Sequence, residues 1–493
     1  MKRLLLWLLI SSTVAFAQPI TFQKLIGGPG NEYLKGALQT PDSGYVLAGT
    51  TSSFGAGSED FYLVKLDKNG DILWTKTYGG PGGDFDPSFT STSDGGFAFL
   101  GTTYSFGAGH QAYLVRVDKD GNVNWSKTFG VPGTSYGGAI APTKDGGFLV
   151  GTTNSLYSAS IIRLDSLGNV LWTKTSSNSQ WIKSVKQTKD GGFIAIGESV
   201  HGVSPIPDVY VLKFTGSGIL SWQKKIELSL GYAVKETNDG GYVLGVNGGL
   251  IKLDSLGEVL WRKGYHLLAQ TVTETNTGGY LVTGETKDFG ASDAIILETD
   301  STGALIWSKT YGTSGQDQGF VAFQTSDGGY FMAGINYSAF GPSKLYVVKA
   351  DSAMQSGCFQ MDVSAFDTLY PQVSVAFSTM IGNAPDNSQL VTTLVGTGGT
   401  VQTLCSSVGI EEAKAPAIFR TAPNPATEVL FIETQYKASE QVSVLNVLGA
   451  SLSIPAKRSG NKLELDIRTL PPGTYLLRYT APGVSQSAKF QKQ

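Results

Sequence analysis

A repeat that is incomplete at both ends, in complementary ways, constrains this chain more than any other feature. Six stretches share one pattern: Trp74-Thr75-Lys76-Thr77-Tyr78-Gly79, Trp125-Ser126-Lys127-Thr128-Phe129-Gly130, Trp172-Thr173-Lys174, Trp222-Gln223-Lys224, Trp261-Arg262-Lys263 and Trp307-Ser308-Lys309-Thr310-Tyr311-Gly312. Each closes a unit. Phe22-Gln23-Lys24, inside Ile20–Gly28, has the same form with no unit before it, while the last unit runs out at Lys349-Ala350-Asp351 without reaching a Trp. The strand missing at the end is the one left over at the start. An open array gives no reason for such halves, whereas a ring closed by pairing the chain ends does.

A second landmark fixes the unit. Ser43-Gly44-Tyr45, Asp94-Gly95-Gly96-Phe97, Asp145-Gly146-Gly147-Phe148, Asp190-Gly191-Gly192-Phe193, Asp239-Gly240-Gly241-Tyr242, Thr277-Gly278-Gly279-Tyr280 and Asp327-Gly328-Gly329-Tyr330 recur at roughly 38 to 52 residues, in the range of propeller blades. Asp-Gly-Gly and the Asp-x-x-Gly before each Trp are tight-turn chemistry, because glycine accepts the positive φ such turns demand. Each unit therefore reads as four strands, with third strands such as Tyr62-Leu63-Val64-Lys65-Leu66 apolar enough to be covered on both faces. The pattern predicts an all-β chain: a seven-bladed β-propeller over 18–356, closed by an N-terminal strand. Trp74, Trp125, Trp172, Trp222, Trp261 and Trp307 are expected to dock at the blade seams, with Phe22 doing so for the closing blade.

The first 17 residues read as a secretory signal: Lys2 and Arg3, the apolar run Leu4–Ile10, and Ala15-Phe16-Ala17 at the cleavage position. That run is too short to span a bilayer, and no transmembrane segment is expected elsewhere. In an exported chain Cys358 and Cys405, the two cysteines, are expected to form one disulfide. A net charge of −3 without long like-charge runs argues against a nucleic-acid partner. After the ring, 357–410 leaves the repeat and reads as a small disulfide-tied β appendage. Residues 411–420 form a linker, and 421–493 a compact C-terminal β-sandwich.

Several resemblances follow from these strings. Asp300-Ser301-Thr302-Gly303-Ala304-Leu305-Ile306-Trp307 resembles the tryptophan-docking repeat of pyrroloquinoline-quinone-type propellers. Those enzymes are eight-bladed and use a cysteine pair and metal-binding acids that this chain lacks, so only the structural repeat is implied. Kelch repeats also carry di-glycines, but theirs end a strand and these open one. Over residues 20–351 the whole repeat is similar to uncharacterised propellers of exported Bacteroidetes-type proteins. In the last domain, Pro423-Asn424-Pro425, Asn446-Val447-Leu448-Gly449 and Leu470-Pro471-Pro472-Gly473-Thr474-Tyr475 precede a basic tail. These closely resemble the type A (Por) sorting domain of the type IX secretion system. The resemblance implies a partner in that secretion machinery and passage across the outer membrane after signal-peptide export. It also implies that the protein ends secreted or attached to the outer-membrane surface, usually with the domain removed.

Loops after second and fourth strands share one face of a propeller, and here they are the long ones: Thr51–Asp60, Thr103–Gln111, Ser338–Lys344, Gly79–Asp84 and Gly312–Gln318. A ligand site is expected on that face near the channel, with Asp60, Asp84, Asp293 and Asp317 as candidates that could equally cap turns. No catalytic residue, metal set or cofactor motif is assigned. His110, His201 and His266 lack ligand spacing. Gly133-Thr134-Ser135-Tyr136-Gly137 matches the nucleophile-elbow string outside its strand-to-helix context. Asp67-Lys68-Asn69-Gly70-Asp71 is a calcium-loop fragment without the later Glu, and so a tight turn. The sequence favours a binding or adhesion module for a glycan, a peptide or a surface protein. The alternatives are an exported hydrolase, lyase or oxidoreductase at the channel mouth, or a structural surface-layer component.

Overall fold

The computed structural model describes residues 20–129, 134–155, 158–199, 208–227, 229–286, 292–313, 315–337, 341–358, 360–362, 374–375, 381–383, 389–407, 419–422, 427–434, 441–445, 451–452, 454–459, 462–481 and 484–492. The expected signal peptide, His201, Gly133, Pro423, Asn424, Pro425 and Gly449 lie outside them. The described residues contain no helix long and apolar enough to cross a membrane.

The strands from Thr21–Gly27 to Lys344–Ala350 form seven four-stranded antiparallel blades in chain order. Blade 1 is Glu32–Gln39, Tyr45–Thr51, Asp60–Leu66 and Ile72–Gly79. Blade 2 is Asp84–Ser91, Phe97–Thr103, Gln111–Val117 and Val123–Phe129. Blades 3 and 4 share the long strand Val170–Gln187, whose first part pairs with Ser158–Leu164 and whose second part pairs with Phe193–Ser199. Blades 5 and 6 share Val259–Glu274 in the same way, between Tyr242–Leu253 and Tyr280–Thr286. Blade 7 supplies Gln316–Gln324, Tyr330–Tyr337 and Lys344–Ala350, and takes its fourth strand, Thr21–Gly27, from the N-terminus, with Phe22 opposite Lys349 and Ile26 opposite Leu345.

Each seam is built from two landmarks of the repeat. The glycine of each Asp-x-x-Gly turn sits under the fourth-strand aromatic of the preceding blade. A Cβ on Gly121, Gly168, Gly218, Gly257 or Gly303 would come within about 3 Å of Trp74, Trp125, Trp172, Trp222 or Trp261, and one on Gly70 would meet Phe22. These glycines also hold φ between +75° and +82°, so both the turn and the aromatic select glycine. At the last seam Met354 takes the glycine's place with φ +60°, and Trp307 packs on its cluster. Burying even half a Trp contributes about 2 kcal/mol. That outweighs the exposed Lys76–Asn122 and Lys224–Glu258 contacts beside it, worth about 0–1 kcal/mol each.

The turn aspartates have a second task. Asp42, Asp94, Asp145, Asp190, Asp239 and Asp327 pair with Lys65, Arg116, Arg163, Lys213, Lys252 and Lys349 of the adjacent third strands. Burial pushes these carboxyls up, but the bonds from the lysine or arginine, the neighbouring Thr hydroxyl and the turn amide outweigh it. They leave Asp42, Asp190 and Asp239 at about 2.

The disulfide-tied segment after the ring is not a free-standing appendage. Gln360–Asp362 pairs with the fourth strand of blade 6, Ser374–Val375 with that of blade 4, and Ile381–Asn383 with that of blade 3. Gln389–Leu390 then adds to blade 2, Leu394–Gly396 to blade 1, and Thr400–Ser407 to Thr21–Gly27 of blade 7. The segment is a belt running backwards round the circumference, with one short strand on each blade except blade 5 among the described residues. Cys358–Cys405 joins its two ends beside Gln23. It covers outer strands that would otherwise present open edges.

The second compact unit spans Ile410–Gln493. Its two four-stranded sheets run in the order Phe419–Ala422, Val429–Thr434, Lys462–Asp466, Ala456–Ser459 and Ser451–Leu452, Gln441–Leu445, Gly473–Ala481, Val484–Lys492. Leu430 and Leu465 of one sheet meet Val444, Tyr475, Leu477 and Phe490 of the other, the sandwich expected from the alternation. The Tyr475 hydroxyl donates to the Pro471 carbonyl at 2.8 Å. Phe419 and Arg420, expected in the linker, already belong to the first strand.

Two outcomes follow. Replacing Cys358 and Cys405 by Ser releases a 47-residue closure and is expected to cost about 4 kcal/mol on the loop-entropy estimate. Hydrogen exchange should then open Thr400–Ser407 before the blades. The turn aspartates have folded pKa values below the unfolded value of 3.8. Their stabilisation is therefore complete above about pH 4 and is lost as pH falls through about 2. Thermal melts should drop across that window, and less steeply in Asp239→Asn.

Candidate functional site

The four candidate acids are gathered into two blade seams. Asp60 opens the third strand of blade 1 and Asp84 the first strand of blade 2, and both are buried. Both reach Gly79, where a Cβ would lie 2.0 Å from Asp60 Oδ1 and 2.5 Å from Asp84 Oδ2. The Gly57 amide donates to Asp60 Oδ2 at 3.0 Å; the Gly80 amide and Ser105 hydroxyl donate to Asp84 Oδ2 at 2.8 and 2.6 Å. Asp84 Oδ1 is buried without a partner. Burial pushes both carboxyls up, Asp60 to about 6.

Asp293 and Asp317 form the matching pair at the seam between blades 6 and 7, both pushed up by burial and Asp293 also by the Asp317 charge. Asn336 Nδ2 donates to Asp317 Oδ1 at 2.7 Å and the Thr313 amide to Oδ2 at 2.7 Å. Both pairs sit under the loops rather than on an open rim. One backbone bond recurs beside them: Asp84 N to Glu59 O, Ser135 N to His110 O, Asp317 N to Ser292 O and Glu32 N to Ser343 O. Ser135 thus opens an inner strand, not an elbow. Asp67 accepts from the Asn69 and Asp71 amides of its own turn, while Asp71 pairs with Lys24. Among the described residues no three or more His, Cys, Asp or Glu side chains are placed to hold a metal.

A row of aromatic side chains gathers where the inner strands begin on the long-loop face. Tyr33, Phe85, Tyr136, Trp181 and Tyr232 occupy that end in blades 1 to 5, each half-buried. Their rings connect through the loops. Phe85 lies 5.3 Å from Tyr104, Tyr104 lies 3.6 Å from His110, His110 lies 5.4 Å from Tyr136, and Tyr136 stacks on Trp181 at 5.6 Å. Tyr104 is 49% exposed, and His110 Nδ1 is buried without a partner. Lys183 Nζ lies over Trp181 and bonds Glu198 at 3.0 Å. Burial, then the charges of Glu198 and Glu285, push the Tyr232 phenol up to about 12. Burial, then Tyr33 and Glu285, raise Tyr337.

These residues share the long-loop face with the four candidate acids but were not singled out in the sequence, because they end or begin strands instead of filling loops. A signal existed. The residue after the second-strand glycine is Thr50, Thr102 or Thr152 in three blades and Val246 or Ile335 in two, but Glu198 and Glu285 in blades 4 and 6.

No curated protein matches the chain. Among solved structures, a protein of unknown function from Bacteroides caccae matches at 15% identity and TM-score 0.37, over 58% of this chain and 93% of that one. One of unknown function from Dyadobacter fermentans matches at 12% and 0.41, over 66% and 97%. Sqt1 from Chaetomium thermophilum matches at 12% and 0.38, over 66% and 97%. Residues 421–493, the two-sheet unit with its Tyr475–Phe490 core, match the family model of the secretion system C-terminal sorting domain. The chain therefore carries the sorting domain of a type IX secretion cargo and is delivered to the cell surface or beyond it.

Proposed function

We propose that this exported propeller is a binding module that holds a glycan against the aromatic collar at its channel mouth. The observation that carries the reading is the collar: one position of five inner strands is aromatic and half-buried, with Tyr104 exposed beside it. Flat ring faces suit the C–H faces of a sugar, while the Glu198 and Glu285 carboxylates offer hydrogen bonds to hydroxyls. A second reading, an exported glycan-cleaving enzyme, is favoured by Glu198 and Glu285, whose charges both act on Tyr232. Carboxylates flanking a bound sugar are the machinery of glycoside hydrolysis.

Glycan and peptide arrays probed with the full chain test both. Reproducible glycan hits are expected, weakened about tenfold or more in Trp181→Ala with Tyr136→Ala, as for truncated aromatic anchors. Turnover of a hit that stops in Glu285→Gln while binding persists would assign the enzyme. Hits confined to peptides, or blank arrays, would overturn the glycan reading and leave a protein partner or a structural surface role.

A further inference from the structure

The repeat contains its own comparison for the buried Asp60–Asp84 pair. The loops entering blades 1 and 2 share one string: Gly27-Gly28-Pro29-Gly30-Asn31-Glu32 and Gly79-Gly80-Pro81-Gly82-Gly83-Asp84. Glu32 corresponds to Asp84, and Lys344, which opens the third strand of blade 7, corresponds to Asp60. At the blade 7–blade 1 seam the Lys344 ammonium bonds Glu32 Oε2 at 3.0 Å, the Gly30 carbonyl at 2.9 Å and the Gly28 carbonyl. A cation held by one carboxylate and two loop carbonyls is therefore built into that seam.

At the seam between blades 1 and 2 the cradle is repeated and the ammonium is replaced by a second carboxylate. Asp60 and Asp84 are 1% and 0% exposed, and among the described residues no Lys, Arg or His pairs with either. The Gly80 and Gly82 carbonyls, counterparts of those that bond Lys344, converge on the Asp60 loop: a Cβ on Gly57 would lie 2.8 and 1.6 Å from them. Asp84 Oδ1, buried and unpartnered, is an acceptor with nothing to accept from. Burying two carboxylates without a counter-charge is costly.

We propose that the seam between blades 1 and 2 binds a hard divalent cation of the calcium class, held by the Asp60 and Asp84 carboxylates and the Gly80 and Gly82 carbonyls. The donors are all oxygen, as calcium requires, and two carboxylates balance its charge. No sulfur or imidazole is present to favour a softer metal. The Asp293–Asp317 seam supplies the contrast. There the Gly-Gly-Pro-Gly loop is absent, and Asn336 and Thr313 occupy both Asp317 oxygens.

The test is calorimetry and thermal melting of the full chain, stripped with chelator and then titrated with CaCl2 or MgCl2. One calcium per chain is expected, with half-saturation on the order of 0.1–1 mM as in extracellular modules, and weaker binding of magnesium. The melting temperature should rise by several degrees at saturation. Asp84→Asn should abolish binding, whereas Asp317→Asn should keep it. Asp60→Lys, which copies the Lys344 seam, should melt as high without calcium as the wild type does with it, and no longer respond. Absence of calcium binding up to about 10 mM, or a calcium response that survives in Asp60→Lys, overturns the proposal. If Asp84→Asn fails to fold, Asp60→Lys decides alone.

Discussion

The pairing of Thr21–Gly27 along both of its edges is the constraint on which the rest of the propeller depends. One edge bonds Lys344–Ala350 and closes the ring; the other bonds Thr400–Ser407 and ends the belt. Gln23 sits at the centre of this junction, fully buried. Its amide donates to Ser356 Oγ and the Cys358 carbonyl, its Oε1 accepts from Tyr346, and Cys405 lies opposite it in register. The first strand, the last blade, both belt ends and the disulfide thus converge on one short segment. Apart from the disulfide, none of these closures can form before residues more than 300 positions apart have met. Such long-range pairing is entropically slow, so the ring's last step requires nearly the whole chain.

Much of this was legible because it repeats. Phe22, the six tryptophans and the turn glycines occupy equivalent positions, and one packing solution used at six of seven seams leaves a period that a single sequence displays. The belt has no such signature. Each of its strands meets only a few residues of an outer edge, so two or three backbone pairs suffice and neither alternation nor length is demanded of the side chains. What remains in the sequence is a stretch without a period between two cysteines, which reads as an appendage. The burial of the candidate acids was illegible for another reason. An aspartate next to glycine in a long loop suggests an exposed ligand site, yet the strand pleat turns Asp60, Asp84 and Asp317 inward at the seam.

Because the blades are copies, their differences amount to a mutation series that the fold has already carried out. On the hairpin face the series is nearly constant: aspartate against lysine or arginine in six blades, and glycine under an aromatic at six seams. On the long-loop face it diverges. The seam slot holds Lys344 with Glu32, Asp60 with Asp84, or Asp293 with Asp317 closed off by Asn336. The inner-strand position is aromatic in blades 1 to 5, and the residue after the second-strand glycine becomes glutamate only in blades 4 and 6. Packing alone would hold these positions as uniform as the hairpin face, since every seam solves the same steric problem. That they vary where the loops open, over a frame that does not, is the physical reason to look for this protein's chemistry there.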